Sequence, residues 1–259
     1  MSGLAAFTLW RRELTRFFRQ PSRIAGAIGT PLLFWLLLGS GLSGSFRLPG
    51  GPAGLGYLEY FFPGTVALVL LFAAIFSNIS VIEDRNQGFL QGVLVAPVPR
   101  SALVMGKVLG GATLAWLQGL VFLALAPASG IHLTAASALA AAGVLAILAV
   151  GLTALGFVFA WKLDSVQGFH AVMNVVLFPM WLLSGSLFPL SGAPRLLAAL
   201  MRLNPLTYGD AALRWALYGT AAALGSGVPG PGLSLGLTVA LTLAAFAACL
   251  LATRGGRVE

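Results

Sequence analysis

Long stretches without any charged residue constrain this chain more than any other feature of its sequence. Twenty-three residues separate Arg23 from Arg47, 54 separate Lys107 from Lys162, and three further charge-free stretches hold 23, 30 and 39 residues. The hydrocarbon core of a bilayer is about 30 Å thick, so a helix needs about 20 residues to cross it. Because the longest stretch is long enough for two crossings, the five stretches predict six membrane spans.

The composition excludes an ordinary soluble protein. Charged residues make up 8% of the chain, against about 25% in soluble globular domains. Hydrophobic residues make up 58% and the mean hydropathy is +0.94, so there is too little polar surface to cover the apolar residues. We therefore predict an all-α polytopic membrane protein, a single domain over 1–259 with spans near 24–45, 60–82, 108–126, 137–161, 169–188 and 233–253.

The positive charges lie mostly on one side of the predicted spans. Eleven Lys and Arg residues fall before the first span, in the loops after the second and fourth spans, and in the C-terminal tail, against four on the other side. An excess of Lys and Arg marks the cytoplasmic side of a membrane protein. We therefore expect both termini in the cytoplasm. The net charge of +8 is interpreted as a topology signal rather than as a nucleic-acid-binding surface.

Residues 1–23 combine an apolar face with a basic face. Apolar residues recur at steps of three and four, and arginines recur on another face: Phe7, Trp10, Leu14 and Phe17 against Arg12, Arg16 and Arg19. This spacing predicts an amphipathic helix in the membrane interface, with the arginines reaching toward anionic headgroups. The alternative is a basic flank that only fixes the topology. Pro21 cannot continue the helix, so we expect the helix to end before it.

A cytoplasmic segment at 83–100 is predicted between the second and third spans. Four apolar residues at helical spacing are followed by two prolines: Phe89, Leu90, Val93 and Leu94, then Pro97 and Pro99. A short helix that presents apolar residues to the cytosol needs something to cover them. From the spacing alone, two coverings remain open, namely a partner protein or the chain's own spans. Gly88 is expected to let the backbone approach such a partner closely.

The segment 189–232 is expected outside the membrane, yet it is too apolar for a plain loop. The run 194–203 predicts a short amphipathic helix, and Asn204-Pro205 supplies the N-cap and the first residue of a second helix. Asp210 and Arg214 lie one turn apart and can form an ion pair. We expect a re-entrant helical hairpin in the outer leaflet, where that pair lowers the cost of burial, followed by a flexible connector at 225–232.

Motifs for catalysis and for ATP hydrolysis are missing from the sequence. The Gly-Lys pair at 106–107 lacks the rest of a nucleotide-binding loop, and no histidine follows Ser184 and Ser186 to form a protease dyad. Two histidines and one cysteine without shared spacing predict no metal site. No acid lies inside a predicted span, where an ion-coupled carrier would need one. The polar residues of the spans are neutral and typical of braces between helices: Asn78, Gln118 and Asn174.

Four groups of residues, in the right topological places, resemble the permeases of ABC-2 type exporters. The first two groups lie at the starts of the first and second spans: Arg19-Gln20-Pro21-Ser22-Arg23 with Pro31, and Tyr60-Phe61-Phe62-Pro63-Gly64. The third lies in the predicted cytoplasmic segment: Glu83, Arg85, Gly88, Leu94, Pro97 and Gly106-Lys107. The fourth lies between the last two spans: Ser184-Gly185, Phe188-Pro189-Leu190, Pro194, Asn204-Pro205-Leu206-Thr207 and Arg214. Gln91 departs from the pattern, since relatives often carry an acid there.

The resemblance implies a permease without enzymatic activity or cofactor, in the cytoplasmic membrane of a prokaryote. It implies a dimer of permeases in membrane lipid with two copies of a separate ABC ATPase, which would dock on a coupling helix built by Glu83, Arg85, Gly88, Phe89, Leu90, Val93, Leu94 and Pro97. It also implies a substrate path between the two permeases, for which the candidates here are Asn78, Asn174, Phe178 and Trp181. The expected cargo is an amphiphilic, lipid-like, drug-like or glycan substrate, and the expected direction is export.

Two other classes of function remain open at this stage. An ATP-independent carrier or channel would transport its substrate in ATP-depleted vesicles. An intramembrane enzyme or a purely structural membrane subunit would show no ATP-linked movement of substrate at all.

Overall fold

The computed structural model describes residues 2–42, 56–219 and 227–254, and within these ranges helices are joined by short turns and loops, without strands. The α-helices are α1 (Ser2–Phe18), α2 (Pro21–Leu42), α3 (Tyr57–Asn86), α4 (Phe89–Val95), α5 (Arg100–Leu123), α6 (Ala135–Lys162), α7 (Val166–Trp181), α8 (Arg195–Leu203), α9 (Pro205–Tyr218) and α10 (Pro231–Arg254). The all-α prediction is therefore confirmed. The connector predicted at 225–232 is described only from residue 227 onward, and the loop at 43–55 lies outside the described residues.

Six of these helices are long and apolar enough to cross a membrane, as the charge-free stretches predict. They are Ala25–Leu42, Tyr57–Asn86, Arg100–Leu123, Ala135–Lys162, Val166–Ser186 and Pro231–Arg254. Charged residues lie in the extra turns of two of them, because α3 continues to Asn86 and α5 begins at Arg100. These residues do not end the helices, since they bond to charged side chains or main-chain carbonyls elsewhere in the fold.

Helix α3 forms the centre of the bundle. Almost all of its residues are buried, and it packs against α2, α5, α6 and α7. Small residues bring the neighbours close: a Cβ on Gly111 of α5 would lie 2.5 Å from Ser77 Oγ, and one on Gly119 would lie 2.5 Å from Leu70 Cδ1. Close approach at small residues is a common way for helices to pack in membranes. The outer helices α2, α7 and α10 bury few of their residues.

The bundle has two distinct ends, which we name by the elements that lie there. At the α4 end, α1 and α4 meet the end of α3, the start of α5 and the ends of α6 and α10. At the hairpin end, α8 and α9 meet the starts of α3 and α10. A π-helical turn at Leu182–Ser186, with Gly185 at φ 91°, ends the fifth span and leads into this hairpin.

Helix α9 begins and ends at residues that are typical of helix ends. Asn204 caps α9 by accepting a hydrogen bond from the amide of Leu206, and Pro205 is the first residue of that helix. Gly219 ends α9 with φ 71°, a left-handed conformation that glycine adopts without strain. The position of the hairpin in the outer leaflet stays a prediction.

Candidate functional site

A cluster of charged side chains joins three helices at the α4 end. Asp84, on the last turn of α3, is fully buried. Both of its oxygens accept hydrogen bonds of 2.7 Å from the guanidinium group of Arg12, and one accepts a further bond of 2.8 Å from Arg16. The ammonium group of Lys107 on α5 contacts the same carboxylate. Asp84 therefore holds α1 and α5 against α3.

The cluster continues beyond Asp84 to two further acids. Lys107 Nζ lies 2.6 Å from Glu13 Oε1, and Ser80 donates a hydrogen bond of 2.6 Å to the other oxygen of Glu13. Arg16 reaches Glu83 at 2.6 Å. Buried charges are tolerated where each has a partner of opposite charge and the remaining polar atoms are hydrogen-bonded. The contacts of the cluster meet both conditions.

Two glycines on α5 allow α1 to lie close enough for these contacts. A Cβ on Gly106 would lie 2.5 Å from Leu9 Cβ, and one on Gly110 would lie 2.9 Å from Glu13 Cβ. Trp10 adds a hydrogen bond of 3.1 Å to Thr113 of α5. The first helix is thus packed on the bundle, and its contacts with α5 are the most extensive between any two described elements.

The structure differs from the expectation for Arg12 and Arg16. Their guanidinium groups bind acids of α3 instead of pointing outward to headgroups. The hydrogen bonds to Asp84 raise the pKa of Arg12 above its ordinary value, so Arg12 stays charged. Arg19, the third arginine of the predicted basic face, is exposed. Sequence periodicity identified the arginines but not the acids, because Glu83 and Asp84 lie about 70 residues away in the chain.

Helix α4 turns its apolar side inward. Leu90 is buried in the core of the chain, and Leu94 packs against that core. The ring of Phe89 lies 3.8 Å below the guanidinium group of Arg12, a cation–π contact. The sequence left open whether a partner protein or the chain's own spans cover the apolar side of α4. The chain's own helices cover Leu90. The side of α4 that faces outward carries Gln91, Gly92 and Val95.

Gly88 supplies a turn before α4. It precedes α4 with φ 75°, and a Cβ there would meet no atom of the described chain within 4 Å. The left-handed backbone conformation by itself favours glycine at this position, and its close approach to a partner stays a prediction. This conformation lets the chain turn from α3 directly into α4.

Two arginines on either side of α4 bind the ends of distant helices. Arg85 donates a hydrogen bond of 3.0 Å to the carbonyl of Leu163, contacts the carbonyl of Trp161, and lies 3.2 Å from Asp164. These groups lie in the last turn of α6 or directly after it. Arg100 donates to the carbonyls of Thr253 and Arg254 at 2.6 and 3.0 Å, at the end of α10. Cations at helix C-termini satisfy free carbonyls and complement the helix dipole.

Sequence reasoning singled out Arg85 and missed Arg100. The partners of Arg100 lie more than 150 positions further along the chain, so no local pattern indicates them. One feature of the sequence could have indicated Arg100: it is the first charged residue after the two prolines that end the α4 segment.

The four residues proposed for the substrate path are only partly brought together. The rings of Phe178 and Trp181 lie 5.7 Å apart on α7, whereas Asn78 lies on α3. Asn78 is buried, and it donates hydrogen bonds to the carbonyls of Ala74 and Thr153 at 2.8 and 3.1 Å, which makes it a brace between α3 and α6. Trp181 is also buried and donates to the carbonyl of Gly64 at 2.7 Å. Asn174 is exposed on α7, and Phe178 is half-buried one turn further along that helix.

At the hairpin end, the predicted ion pair is present and buried. Arg214 Nε donates to Asp210 Oδ2 at 2.7 Å within α9. Arg214 also donates to the carbonyls of Tyr60 at 2.9 Å and Gly185 at 3.3 Å, and its guanidinium group lies 4.3 Å from the centre of the Tyr60 ring. Tyr60 in turn donates its hydroxyl to the carbonyl of Gly185 at 2.6 Å. The pair therefore fixes α9 to the start of α3 and to the π-helical turn.

Within the described residues, no group of three or more histidines, cysteines or acids could hold a metal ion. The described site is thus built from ion pairs, helix caps and apolar packing. Such an arrangement can transmit displacement between helices.

Comparisons with known proteins identify the family of this chain. Residues 5–218 match the family model of the ABC-2 type transporter. The chain is 29% identical over 206 residues to the putative transport permease ycf38 of Cyanophora paradoxa, covering 78% of this chain and 70% of that one. It is 27% identical to the inner membrane transport permease YadH of Escherichia coli strain K12, with 83% and 84% covered. It is 26% identical to nodulation protein J of Rhizobium leguminosarum bv. viciae, with 84% and 83% covered.

The matched region includes α1, the α4 segment and the hairpin, and six helices of this chain can cross a membrane. The chain therefore belongs to the ABC-2 type transporter family, as a multi-pass transmembrane transport permease.

Proposed function

We propose that this permease works as the membrane subunit of an ATP-driven exporter, with ATP hydrolysed by a separate subunit. The observation that carries the proposal is the set of contacts around α4. This helix joins the ends of two spans and is flanked by Arg85 and Arg100, each bound to the end of another span. A force on α4 would therefore reach α3, α5, α6 and α10 together.

The ATPase docks, in this proposal, on the outward side of α4. Val95 is 86% exposed, and Gln91 and Gly92 are exposed beside it. An open apolar groove of about 620 Å³ lies between α1 and α4, with Leu4, Phe89, Val93 and Pro97 among its lining residues. An exposed apolar groove beside a short helix is a typical docking surface for a partner protein. Of the predicted coupling residues, Phe89, Val93 and Pro97 line this groove.

The other predicted coupling residues act, in this proposal, by positioning α4. Glu83 and Arg85 tie the end of α3 to α1 and α6, Gly88 supplies the turn, and Leu90 seats α4 in the core. Leu94 packs against the same core. Because these residues hold α4 rigidly, displacement by the partner would move whole spans and not only the loop.

Two copies of the permease enclose the substrate path in this proposal. Helices α2 and α7 bury few of their residues, and Leu37 and Val175 keep 68% and 75% of their surface uncovered. A second copy against these faces would bring Asn174 and Phe178 toward the path, whereas the buried Asn78 and Trp181 would brace its wall. A path with so few polar groups suits an amphiphilic, lipid-like, drug-like or glycan substrate.

The orientation proposed for the chain places the α4 end in the cytoplasm. The excess of Lys and Arg on the side of both termini supports this orientation. An ATPase needs cytoplasmic ATP, so the α4 surface and the charge distribution favour the same side of the membrane.

A charge placed on the docking surface tests the proposal. We expect Val95→Asp to weaken binding of the ATPase roughly thirtyfold, the typical effect of losing an apolar anchor at a hot spot, and to abolish ATP-dependent transport. The measurements are co-purification of an ATP-hydrolysing subunit and substrate transport into vesicles. Leu203→Asp is the matched control, because Leu203 is an equally exposed aliphatic residue, at 81%, on the hairpin end.

Membrane insertion of both variants should equal that of the wild type. If Val95→Asp keeps its ATPase and full ATP-dependent transport, the docking surface is wrong. If the wild type transports equally well in ATP-depleted vesicles, the protein is an ATP-independent carrier or channel and the proposal of an ATP-driven exporter is wrong.

A further inference from the structure

We propose that α1 carries a binding site for the phosphate group of an anionic phospholipid, in the leaflet next to the α4 end. The ligands are Arg11 on α1 and Arg19, the residue that directly follows α1, with Thr15 between them. The amide of Arg19 donates a hydrogen bond of 3.3 Å to the carbonyl of Thr15, so Arg19 continues the helical turn. Steps of four residues place these three side chains on one face of α1. The proposal concerns α1 alone and does not rest on the presence of an ATPase.

The charges of α1 divide into two groups. Arg12 and Arg16 bind acids of α3 and are only partly exposed, at 31% and 21%. Arg11 and Arg19 are exposed, and among the described residues neither has an ion-pair partner. Two uncompensated guanidinium groups thus remain on the outward face of a helix whose other arginines already hold it to the bundle.

These arginines share one open cavity. It measures about 660 Å³ and is lined by Arg11, Arg12, Arg16 and Arg19, with Gln87 of the α3–α4 turn at its edge. A guanidinium group is planar and donates paired hydrogen bonds to the oxygens of a phosphate. The cavity therefore brings guanidinium donors along α1 and the side chain of Gln87 to one open space that an anionic group can enter.

Exposed apolar residues beside the cavity indicate a lipid rather than a soluble anion. Leu4, Phe7 and Phe18 are 74%, 55% and 61% exposed, and helical spacing places them along the edge of the face that carries Arg11. Aromatic and aliphatic side chains of an interfacial helix insert at the boundary between headgroups and acyl chains. Arginines next to them then lie at the level of the phosphates, where anionic lipids also attract them.

The experiment uses the full-length permease, purified without its partner in a neutral detergent. Native mass spectrometry measures binding of phosphatidylglycerol, of phosphatidylcholine and of inorganic phosphate. We expect phosphatidylglycerol to bind more tightly than phosphatidylcholine, and Arg11→Gln/Arg19→Gln to lower its affinity roughly thirtyfold, about fivefold for each arginine. Arg11→Lys/Arg19→Lys should fall between these, because lysine keeps the charge but loses the paired donors.

Arg195→Gln/Arg202→Gln is the matched control. Both residues are exposed on the amphipathic helix α8 at the hairpin end, so the change in net charge is identical. This control should keep the affinity for phosphatidylglycerol. The unfolding temperature of the Arg11/Arg19 variants in detergent should equal that of the wild type, because neither side chain bonds to the described protein.

Three results would overturn the proposal. The first is unchanged lipid affinity in Arg11→Gln/Arg19→Gln, and the second is an equal loss in the α8 control, which would show a general effect of charge. The third is displacement of phosphatidylglycerol by millimolar inorganic phosphate, which would make the site one for free phosphate. None of these measurements depends on ATP, so a failure here is distinct from a failure of the proposed exporter.

Discussion

The two ends of the bundle both bury charged residues, but they do so in different ways. At the hairpin end, Asp210 and Arg214 lie four residues apart on one helix, and nearly all of their surface is covered. At the α4 end, Asp84 receives its partners from α1 and α5, which lie up to 72 residues away in the chain. One arrangement is local and fixes a hairpin, whereas the other is long-range and fixes three helices together.

This difference indicates at which end of the bundle a partner could displace the helices. The hairpin pair bonds to main-chain carbonyls at the start of α3, so it closes one end of the bundle. The α4 cluster leaves Arg12 and Arg16 partly exposed and lies next to α4, whose outward side is free among the described residues. We therefore expect the hairpin end to serve mainly stability, and the α4 end to serve both stability and coupling.

The largest effect is expected on removing the centre of the α4 cluster. Asp84→Ala removes the fully buried one of the two acids that Lys107 and Arg12 share, the other being Glu13. Breaking a buried ion pair by removing one partner costs about 3–5 kcal/mol. The free energy of unfolding in detergent measures this loss. Asp164→Ala is the control, since Asp164 is 92% exposed in its pair with Arg85 and should contribute less than about 1 kcal/mol. Equal losses in the two variants would contradict the central role of Asp84.

A somewhat smaller effect is expected at the hairpin end. Asp210→Ala or Arg214→Ala alone leaves one buried charge unpaired, so each should cost about 3 kcal/mol. The double variant removes both charges, and it should be more stable than the worse of the two single variants. Unfolding measurements on all three variants complete the cycle. A double variant no better than the worse single one would show that the two side chains do not depend on each other.

The two helix caps beside α4 should affect coupling more than stability. Arg85→Gln and Arg100→Gln each lose charged contacts at a helix C-terminus, worth about 0.3–2 kcal/mol. We expect a modest loss of stability, but a clear fall in the amount of substrate transported per ATP hydrolysed. Arg195→Gln, on the exposed side of α8, should leave this ratio unchanged. If the ratio stays constant in both cap variants, α6 and α10 do not move with α4.

The smallest effect is expected at the turn before α4. Gly88→Ala forces alanine into a left-handed conformation at a cost of about 1 kcal/mol. Gly92→Ala, four residues later in α4, has no atom within 4 Å of the added Cβ and should stabilise the helix by a similar amount. Thermal unfolding of the two variants should therefore shift in opposite directions. If both unfolding temperatures shift in the same direction, the backbone conformations of Gly88 and Gly92 do not determine the stability of α4.

Part of the site could be predicted from local patterns, because its residues interact within a few positions of each other. The N-cap at Asn204, the first-turn proline and the pair of Asp210 with Arg214 belong to this part. The inward side of α4 could not be predicted, since a short apolar helix has the same spacing whether a partner or its own chain covers it. The family resemblance favoured a partner, but the structure shows Leu90 in the chain's own core.

The sequence by itself determined that the chain is a helical membrane protein with six spans, because crossing a bilayer requires long runs of uncharged residues. It also determined the family, through motifs that keep their order along the chain. Only the tertiary structure decided which charges end a span and which lie buried between spans. Glu83, Asp84 and Lys107 could equally end a span or lie buried between spans, as far as the sequence shows. The packing of α1 against α5 brings Arg12, Arg16 and Glu13 to them. Electrostatic compensation of this kind depends on distances in space, which no local pattern in the chain contains.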